Sequence, residues 1–112
     1  MATVTTDVPI NSQGVCPDPS AIQSQVHTLD LIVYQLVPAS PSDDISDWQF
    51  VSYCVLKQGG GLVELTLGLG GTPYLTALVL ARLKLGTTEV NLKIKNAASG
   101  AEVVIDPMII HI

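Results

Sequence analysis

Few side chains in this sequence could carry out catalysis, and their spacing matches no catalytic or metal-binding pattern. The 112 residues include two histidines and two cysteines. His27 and His111 cannot be tied by sequence to a nucleophile. Cys16 and Cys54 have no nearby histidine and lack the spacing of a zinc site. We therefore predict no catalytic residue, no metal site and no bound cofactor.

Acidic residues and glycine clusters could suggest ion or phosphate binding, but their order argues against both. Asp43, Asp44 and Asp47 lie in one loop without the Asp-x-Asp-x-Asp-Gly order of a calcium site. Neither positions 59–61 nor positions 68–71 have the spacing and the following helix that a phosphate-binding loop needs. We interpret these segments as an exposed loop and as turns. A weak cation site or a salt-bridging contact is the alternative for the acids.

The composition indicates a surface that is partly covered by other protein. Hydrophobic residues make up 47% of the chain and charged residues 13%, against about 25% charged in a typical soluble domain. No apolar run approaches the ~20 residues of a membrane helix. The alternative is a monomer whose surface consists of Ser, Thr, Gln and Asn. The net charge of −5 argues against nucleic acid or an anionic membrane as partner.

The first residues and the cysteines bear on the compartment. Positions 1–11 lack the basic start and apolar core of a signal peptide, which predicts that the chain begins in a cytoplasm.

Cys54 falls on the apolar side of a predicted strand and is expected to be a small core residue. A disulfide between Cys16 and Cys54 stays open.

Positions 74–96 predict a β-hairpin. Its arms, 74–85 and 88–95, flank a Gly86-Thr87 pair typical of a type II′ turn. This register places three apolar pairs on one side and Lys84 opposite Glu89 on the other; the pairs are Leu83–Val90, Ala81–Leu92 and Val79–Ile94. A helix over 74–85 is the alternative, with Thr72 and Pro73 as its start. The polar residues of this segment share one face only in a strand, so we favour the strand.

The remaining segments extend the all-β pattern. Strands are predicted at 26–37, at 103–105 and at 108–112, and a second hairpin joins 48–57 to 62–69. Six or seven short strands without a helix favour a single β-sandwich or barrel, a jelly roll being one form of it.

Residues 1–25 are expected to form an extended N-terminal arm that precedes the β-sandwich domain of residues 26–112. The segment is rich in proline and polar residues and has few apolar ones, so it cannot order itself by burial alone. Its weakly alternating part from Val4 to Ile10 could add a strand to another sheet edge.

An arm, a low-charge β-domain and an apolar C-terminus together resemble the capsid cement or decoration proteins of tailed bacteriophages. The resemblance implies a non-enzymatic structural protein of the virion, assembled in a host cytoplasm, that binds between capsid subunits. Its partners would be other protein subunits, the major capsid protein among them, and copies of itself in a homo-oligomer. The candidate interface residues are Val4, Val8, Ile10, Leu78, Leu80, Arg82, Met108, Ile110 and Ile112.

A second hypothesis is a monomeric β-sandwich module that binds carbohydrate or protein. Trp48 could provide the aromatic platform that a sugar site needs. Its alternation with Phe50, however, places it on the predicted core side.

Overall fold

The computed structural model describes residues 2–18, 22–58, 61–67, 74–82 and 86–112. Within these ranges the chain forms nine β-strands and no helix. In chain order the strands are β1 (Thr3–Ile10), β2 (Gln23–Val26), β3 (Leu31–Pro38), β4 (Trp48–Gln58), β5 (Gly61–Leu67), β6 (Tyr74–Arg82), β7 (Gly86–Asn96), β8 (Glu102–Ile105) and β9 (Met108–His111). The all-β fold is confirmed, and β6 is a strand rather than a helix. Positions 83–85 lie outside the described residues.

The strands form two mixed sheets that pack face to face as a β-sandwich. Sheet A has the order β1-β3-β6-β5, and sheet B has the order β2-β9-β7-β4 with β8 also paired to β7. The β1–β3 and β2–β9 pairs are parallel, and the other described pairs are antiparallel. Both sheets contribute alternate residues to one core between them.

The core is a continuous apolar layer. Along β3 every second residue is buried, and β7 shows the same alternation from Thr88 to Ile94. Among the described residues, the large side chains that are fully buried include Tyr34, Phe50, Ile10, Ile32, Leu75, Leu92, Ile94, Ile109, His111, Val8, Val26, Val79 and Val90. This layer contains side chains from both sheets, so each sheet buries its apolar face only by packing against the other.

Both predicted hairpins are wrong in their pairing. Strand β4 pairs with β7, and β5 pairs with β6. Each predicted hairpin therefore crosses from one sheet to the other. Leu92, for example, lies opposite Tyr53 and Ile105 rather than opposite Ala81. Two strands with apolar faces can pair side by side within one sheet, or they can pack face to face from two sheets. Both arrangements bury the same residues, so the sequence pattern does not distinguish them.

Two other features of the hairpin predicted at positions 74–96 also differ from the structure. Gly86 and Thr87 belong to β7 and are not a turn. Glu89 lies opposite Lys57, while Lys84, its predicted partner, lies outside the described residues.

The single strand predicted at 26–37 is broken by a turn. Val26 ends β2 in sheet B, and Leu31 begins β3 in sheet A. Between them Leu29 has a left-handed backbone with φ of 67°, which ends the extended conformation. The Asp30 carboxylate accepts a hydrogen bond from the His27 N–H at 2.9 Å and closes the turn.

The extended arm expected at residues 1–25 is not confirmed. Strand β1 pairs with β3 along eight residues, and β2 pairs with β9. Val8 and Ile10 are fully buried in the core. The seven predicted segments and these two strands make up the nine strands of the described residues. Pro9 fits because β1 is an edge strand, where a missing N–H does not break the ladder.

A β-bulge changes the direction of the side chains along β4. Trp48 and Phe50 are buried, but the register with β7 shifts between Phe50 and Ser52. A bulge inserts one residue and moves the following side chains to the opposite face. Cys54 is therefore exposed, and its predicted place in the core is wrong. Cys16 and Cys54 are both free thiols.

Trp48 lies in the core, as its alternation predicts, at 3% exposure. Its indole Nε1–H donates a hydrogen bond to the Ser12 carbonyl at 3.1 Å. Gly14 packs directly on the ring: a Cβ added there would lie 2.5 Å from the Cη2 atom of Trp48. An indole in this position cannot stack on a sugar.

Replacing Ile10 with alanine tests whether β1 is part of the fold or an arm. We expect Ile10→Ala to lower the free energy of unfolding by about 3 kcal/mol, because it leaves a cavity in the core. Thr5→Ala, on the exposed side of the same strand, should change it by less than about 0.5 kcal/mol. Urea unfolding measures both values. Equal, small effects would mean that the segment is an arm.

Gly14 and Gly100 allow a second test, because both have φ of 78° but only Gly14 contacts another side chain. We expect Gly100→Ala to cost about 1 kcal/mol of stability through backbone strain alone. Gly14→Ala should cost about 2–3 kcal/mol, because its Cβ also collides with Trp48. Thermal or urea unfolding of the two variants would contradict this packing if the losses were equal.

Candidate functional site

The structure separates the nine predicted interface residues instead of bringing them together. Val8 and Ile10 are buried in the core and cannot contact a partner, so this part of the prediction is wrong. Val4 is half-buried and packs against the core. The reason is that alternate residues of β1 must face inward once the strand joins sheet A.

The other six residues lie at three places. Leu78 lies on the outer face of sheet A, because it alternates with the buried Val79. Leu80 and Arg82 belong to β6, and their side chains lie outside the described part of the structure. Met108 and Ile110 are on the outer face of sheet B. The exposed Ile112 follows β9 at one end of the sandwich.

The outer face of sheet A, hereafter the A face, carries several aliphatic residues on three adjacent strands. Cross-strand partners share a face, and the register gives the rows Thr3–Leu31–Leu78, Thr5–Val33–Thr76, Asp7–Gln35–Tyr74 and Pro9–Val37. The aliphatic residues of these rows are half-buried, and Tyr74 is 50% exposed. A solvated sheet face normally carries polar side chains, so this composition is typical of a contact surface.

The charge on the A face lies at its edge. Among the described side chains of this face, Asp7 on the edge strand β1 is charged. An apolar centre with a polar rim is the usual anatomy of a protein interface.

The outer face of sheet B differs. It carries Glu89, Lys93, Lys95 and Glu102 on adjacent strands. Lys93 Nζ lies 3.4 Å from a Glu102 carboxylate oxygen, with both side chains nearly half exposed. The two outer faces therefore differ: sheet B mixes several charged residues with Met108, Ile110 and Val104, whereas Asp7 is the charged residue among the described side chains of the A face.

The turn at His27–Asp30 holds the A face together. The Asp30 carboxylate accepts hydrogen bonds from the backbone N–H of Ala2 at 3.0 Å and of His27 at 2.9 Å. The bond from His27, and then that from Ala2, lowers the pKa of Asp30. The Asp30 carbonyl also accepts a bond from the Val79 N–H at 3.0 Å. One residue thereby fixes the start of β1 against β3 and β6.

A buried polar cluster joins the two sheets beside the A face. The hydroxyls of Thr6 in β1 and Ser24 in β2 are 2.6 Å apart and buried. The Tyr34 side chain is buried near them, and burial raises the pKa of its phenol, while the Ser24 hydroxyl opposes that rise. These groups have no access to solvent, so their role is structural.

A hydrogen-bonded threonine and histidine are also buried, where no substrate can reach them. Thr88 Oγ1 lies 2.7 Å from His111 Nε2, and both residues are at most 1% exposed. A nucleophile and its base need an orienting group on the second ring nitrogen, but His111 Nδ1 has no hydrogen-bond partner among the described residues. Sequence reasoning missed this contact, because the two residues meet only through the β7–β9 pairing.

The acidic loop uses its carboxylates to hold its own conformation. Asp43 accepts hydrogen bonds from the N–H groups of Ser12 and Ser40. Asp44 accepts bonds from the backbone N–H and then the hydroxyl of Ser46, and these lower the pKa of Asp44. Across the described ranges no three His, Cys, Asp or Glu side chains cluster as a metal site would require. The same ranges hold no helix that is long and apolar enough to cross a membrane.

Comparison with known proteins supports no functional assignment for this chain. No protein-family model and no curated protein sequence matches this chain. A similar solved structure is the cysteine protease inhibitor EhICP2 from Entamoeba histolytica, with 18% sequence identity and a TM-score of 0.47. The match covers 100% of this chain and 97% of that one. At this level of similarity the inhibitor's activity is no argument for the function of this chain.

The buried His111 makes a prediction about pH. Burial lowers the pKa of His111 below its ordinary value of 6.5, so the unfolded chain binds the proton first as the pH falls. Stability is therefore complete above about pH 6.5 and decreases below it, by at most about 1.4 kcal/mol per pH unit. The stability that comes from the lowered pKa of Asp30 is lost only near pH 4 and below, which keeps the two effects apart.

Urea unfolding at pH 5 and pH 7 measures this effect. His111→Gln should remove most of the difference between the two values. His27→Gln, which removes the other histidine at a position where the side chain is 67% exposed, is measured in the same way for comparison. The same pH dependence in the wild-type chain and in His111→Gln would exclude His111 as its source.

Proposed function

We propose that this chain is a non-enzymatic structural protein that assembles with other protein subunits through the A face. The observation that carries the proposal is the half-buried aliphatic centre of that face, formed by Leu31, Val33 and Leu78. Water-exposed sheet faces rarely present such a group of aliphatic residues, and covering it removes apolar surface from solvent.

The first partner that we propose is a second copy of this chain. A two-fold contact places the same patch of both subunits together, and an apolar centre meets itself without burying a charge. The whole chain has a net charge of −5, which disfavours contacts between copies wherever charged side chains would meet. Rim charges such as Asp7 stay at the edge, where water can reach them.

The size of the A face determines how much surface a contact between two copies would bury. Four strands about 4.8 Å apart and about eight residues long cover roughly 500 Å². A face-to-face pair would then bury roughly 1,000 Å² in total, at the lower limit for a specific interface. Such a contact is weak alone and becomes strong when symmetry repeats it.

In its narrower form the proposal is a cement or decoration protein of a virus capsid. A weak, repeated, protein-only contact suits that role, because many copies bind the same shell. The support for this form is the resemblance in general architecture. Arm exchange is not part of it, because β1 belongs to the chain's own sheet A.

A matched pair of valine variants tests the proposal. Val33 lies in the centre of the A face, and Val104 is an outward valine of sheet B that is 51% exposed. We expect the wild-type chain to reach twice its monomer mass at high concentration. Val33→Lys should weaken that association about tenfold or more, because a lysine would be buried in the contact. Val104→Lys should leave it unchanged.

Light scattering on a sizing column measures the mass across a concentration series. Circular dichroism and urea unfolding check that both variants keep the wild-type fold. A wild-type chain that stays monomeric at every concentration would contradict self-assembly. Equal masses for the two variants would contradict the A face as the contact.

A further inference from the structure

A pocket of about 310 Å³ opens on the outer face of sheet B, on the side of the molecule opposite the A face. It is lined by Ser52, Tyr53, Cys54, Asn91, Lys93 and Val104. The volume lies at the lower end of the range for small-molecule sites. None of these residues belongs to the A face, so the site is independent of the assembly proposed above.

The pocket exists because small side chains meet on neighbouring strands. Cys54 of β4 lies opposite Asn91 of β7, and Ser52 lies opposite Lys93 in the next row. Val104 of β8 flanks Lys93 on the other side. The bulge after Phe50 creates this arrangement, because it turns Cys54 outward.

Three polar groups in the pocket have capacity for a ligand. Asn91 Oδ1 is buried and has no hydrogen-bond partner among the described residues, although buried acceptors are almost always satisfied. The Lys93 ammonium contacts Glu102, but it has three donors and the pair is exposed to solvent. The Cys54 thiol is free and exposed.

We propose that this pocket receives a small thiol-containing peptide or amino acid, which it retains as a mixed disulfide with Cys54. Such a molecule carries the three groups that the pocket complements. Its sulfur bonds to Cys54, an amide or amine N–H donates to Asn91 Oδ1, and a carboxylate pairs with Lys93. Val104 contacts its aliphatic part.

The covalent step is a thiol–disulfide exchange with an oxidised, low-molecular-weight disulfide as co-reactant. The Cys54 thiol loses its proton to solvent, and the thiolate attacks one sulfur of the disulfide. The new bond joins Cys54 to that sulfur, while the original sulfur–sulfur bond breaks. The other half leaves as a thiolate and takes up a proton. Cys54 is oxidised, and the leaving half is reduced.

The second cysteine provides an internal comparison. Cys16 is half-buried and packs against the core. Burial raises the pKa of the Cys16 thiol, which reduces its thiolate fraction. Cys54 is exposed and lines a pocket that could hold the disulfide before the reaction.

The experiment follows the reaction of the full-length chain with oxidised glutathione by intact and peptide mass spectrometry. We expect one adduct, on Cys54, to form at least about fivefold faster than any on Cys16. The chain unfolded in urea gives the reference ratio for the two thiols. S-methylglutathione, which cannot form a disulfide, should compete and slow the reaction of the native chain.

Variants of three β7 residues test whether the pocket recognises the disulfide or whether Cys54 reacts only because its thiol is exposed. Lys93→Met and Asn91→Ala should each slow the reaction with oxidised glutathione about threefold. Lys95→Met is the control, because Lys95 is the next outward lysine of β7 and lies outside the pocket. None of the three should change the rate with 2-hydroxyethyl disulfide, which lacks both carboxylate and amide.

The outcomes decide the proposal. Selective modification of Cys54, slowed by S-methylglutathione and by the pocket variants, supports it. Modification of Cys54 at the same rate with both reagents, without competition, would mean an accessible thiol only and would overturn it. Equal rates at Cys54 and Cys16 would overturn it as well.

Discussion

The apolar layer between the two sheets is the constraint on which the rest of this structure depends. Each strand must turn one of its two faces toward that layer, and its side chains alternate accordingly. Strand β1 meets this condition with Val8 and Ile10, which is why a proline-bearing N-terminal segment is part of the fold and not an arm. Strand β4 meets it only with the help of a bulge, which keeps Trp48 and Phe50 inside and turns Cys54 outward.

A second feature, the Asp30 carboxylate, connects this layer to the A face. It accepts hydrogen bonds from the N–H of His27, in the turn that leads from sheet B to sheet A, and from the N–H of Ala2, just before β1. The neighbouring Leu29 is strained, with a positive φ, and 53% exposed. The hydrogen bonds of the turn hold it in this conformation, and they align three strands of sheet A in one register.

The two outer faces of the sandwich carry different chemistry. The A face presents Leu31, Val33 and Leu78 with a charged residue, Asp7, at its edge, as a surface that another subunit covers would. The outer face of sheet B carries lysines, glutamates and a polar pocket, as a surface that stays in water would. One side can therefore serve assembly while the other remains open to a small molecule.

The sequence by itself determined the fold class, most strand positions and the low surface charge. Alternation of apolar and polar residues is a local property, so the strand at Tyr74–Arg82 and the core position of Trp48 could be predicted from it. The sequence did not determine which strands pair. The alternation of apolar and polar residues is the same whether two strands pair within one sheet or pack against each other across the core. For this reason the predicted pairing of both hairpins is wrong.

Tertiary structure also decided which residues are accessible. Val8 and Ile10 lie in a polar segment of the sequence, where they are expected to be accessible to a partner. They are buried because β1 pairs with β3 and joins sheet A. The approach of His111 to Thr88 depends on the β7–β9 pairing between distant parts of the chain. The A face and the Cys54 pocket likewise each combine three or more strands, and no local pattern in the sequence contains that information.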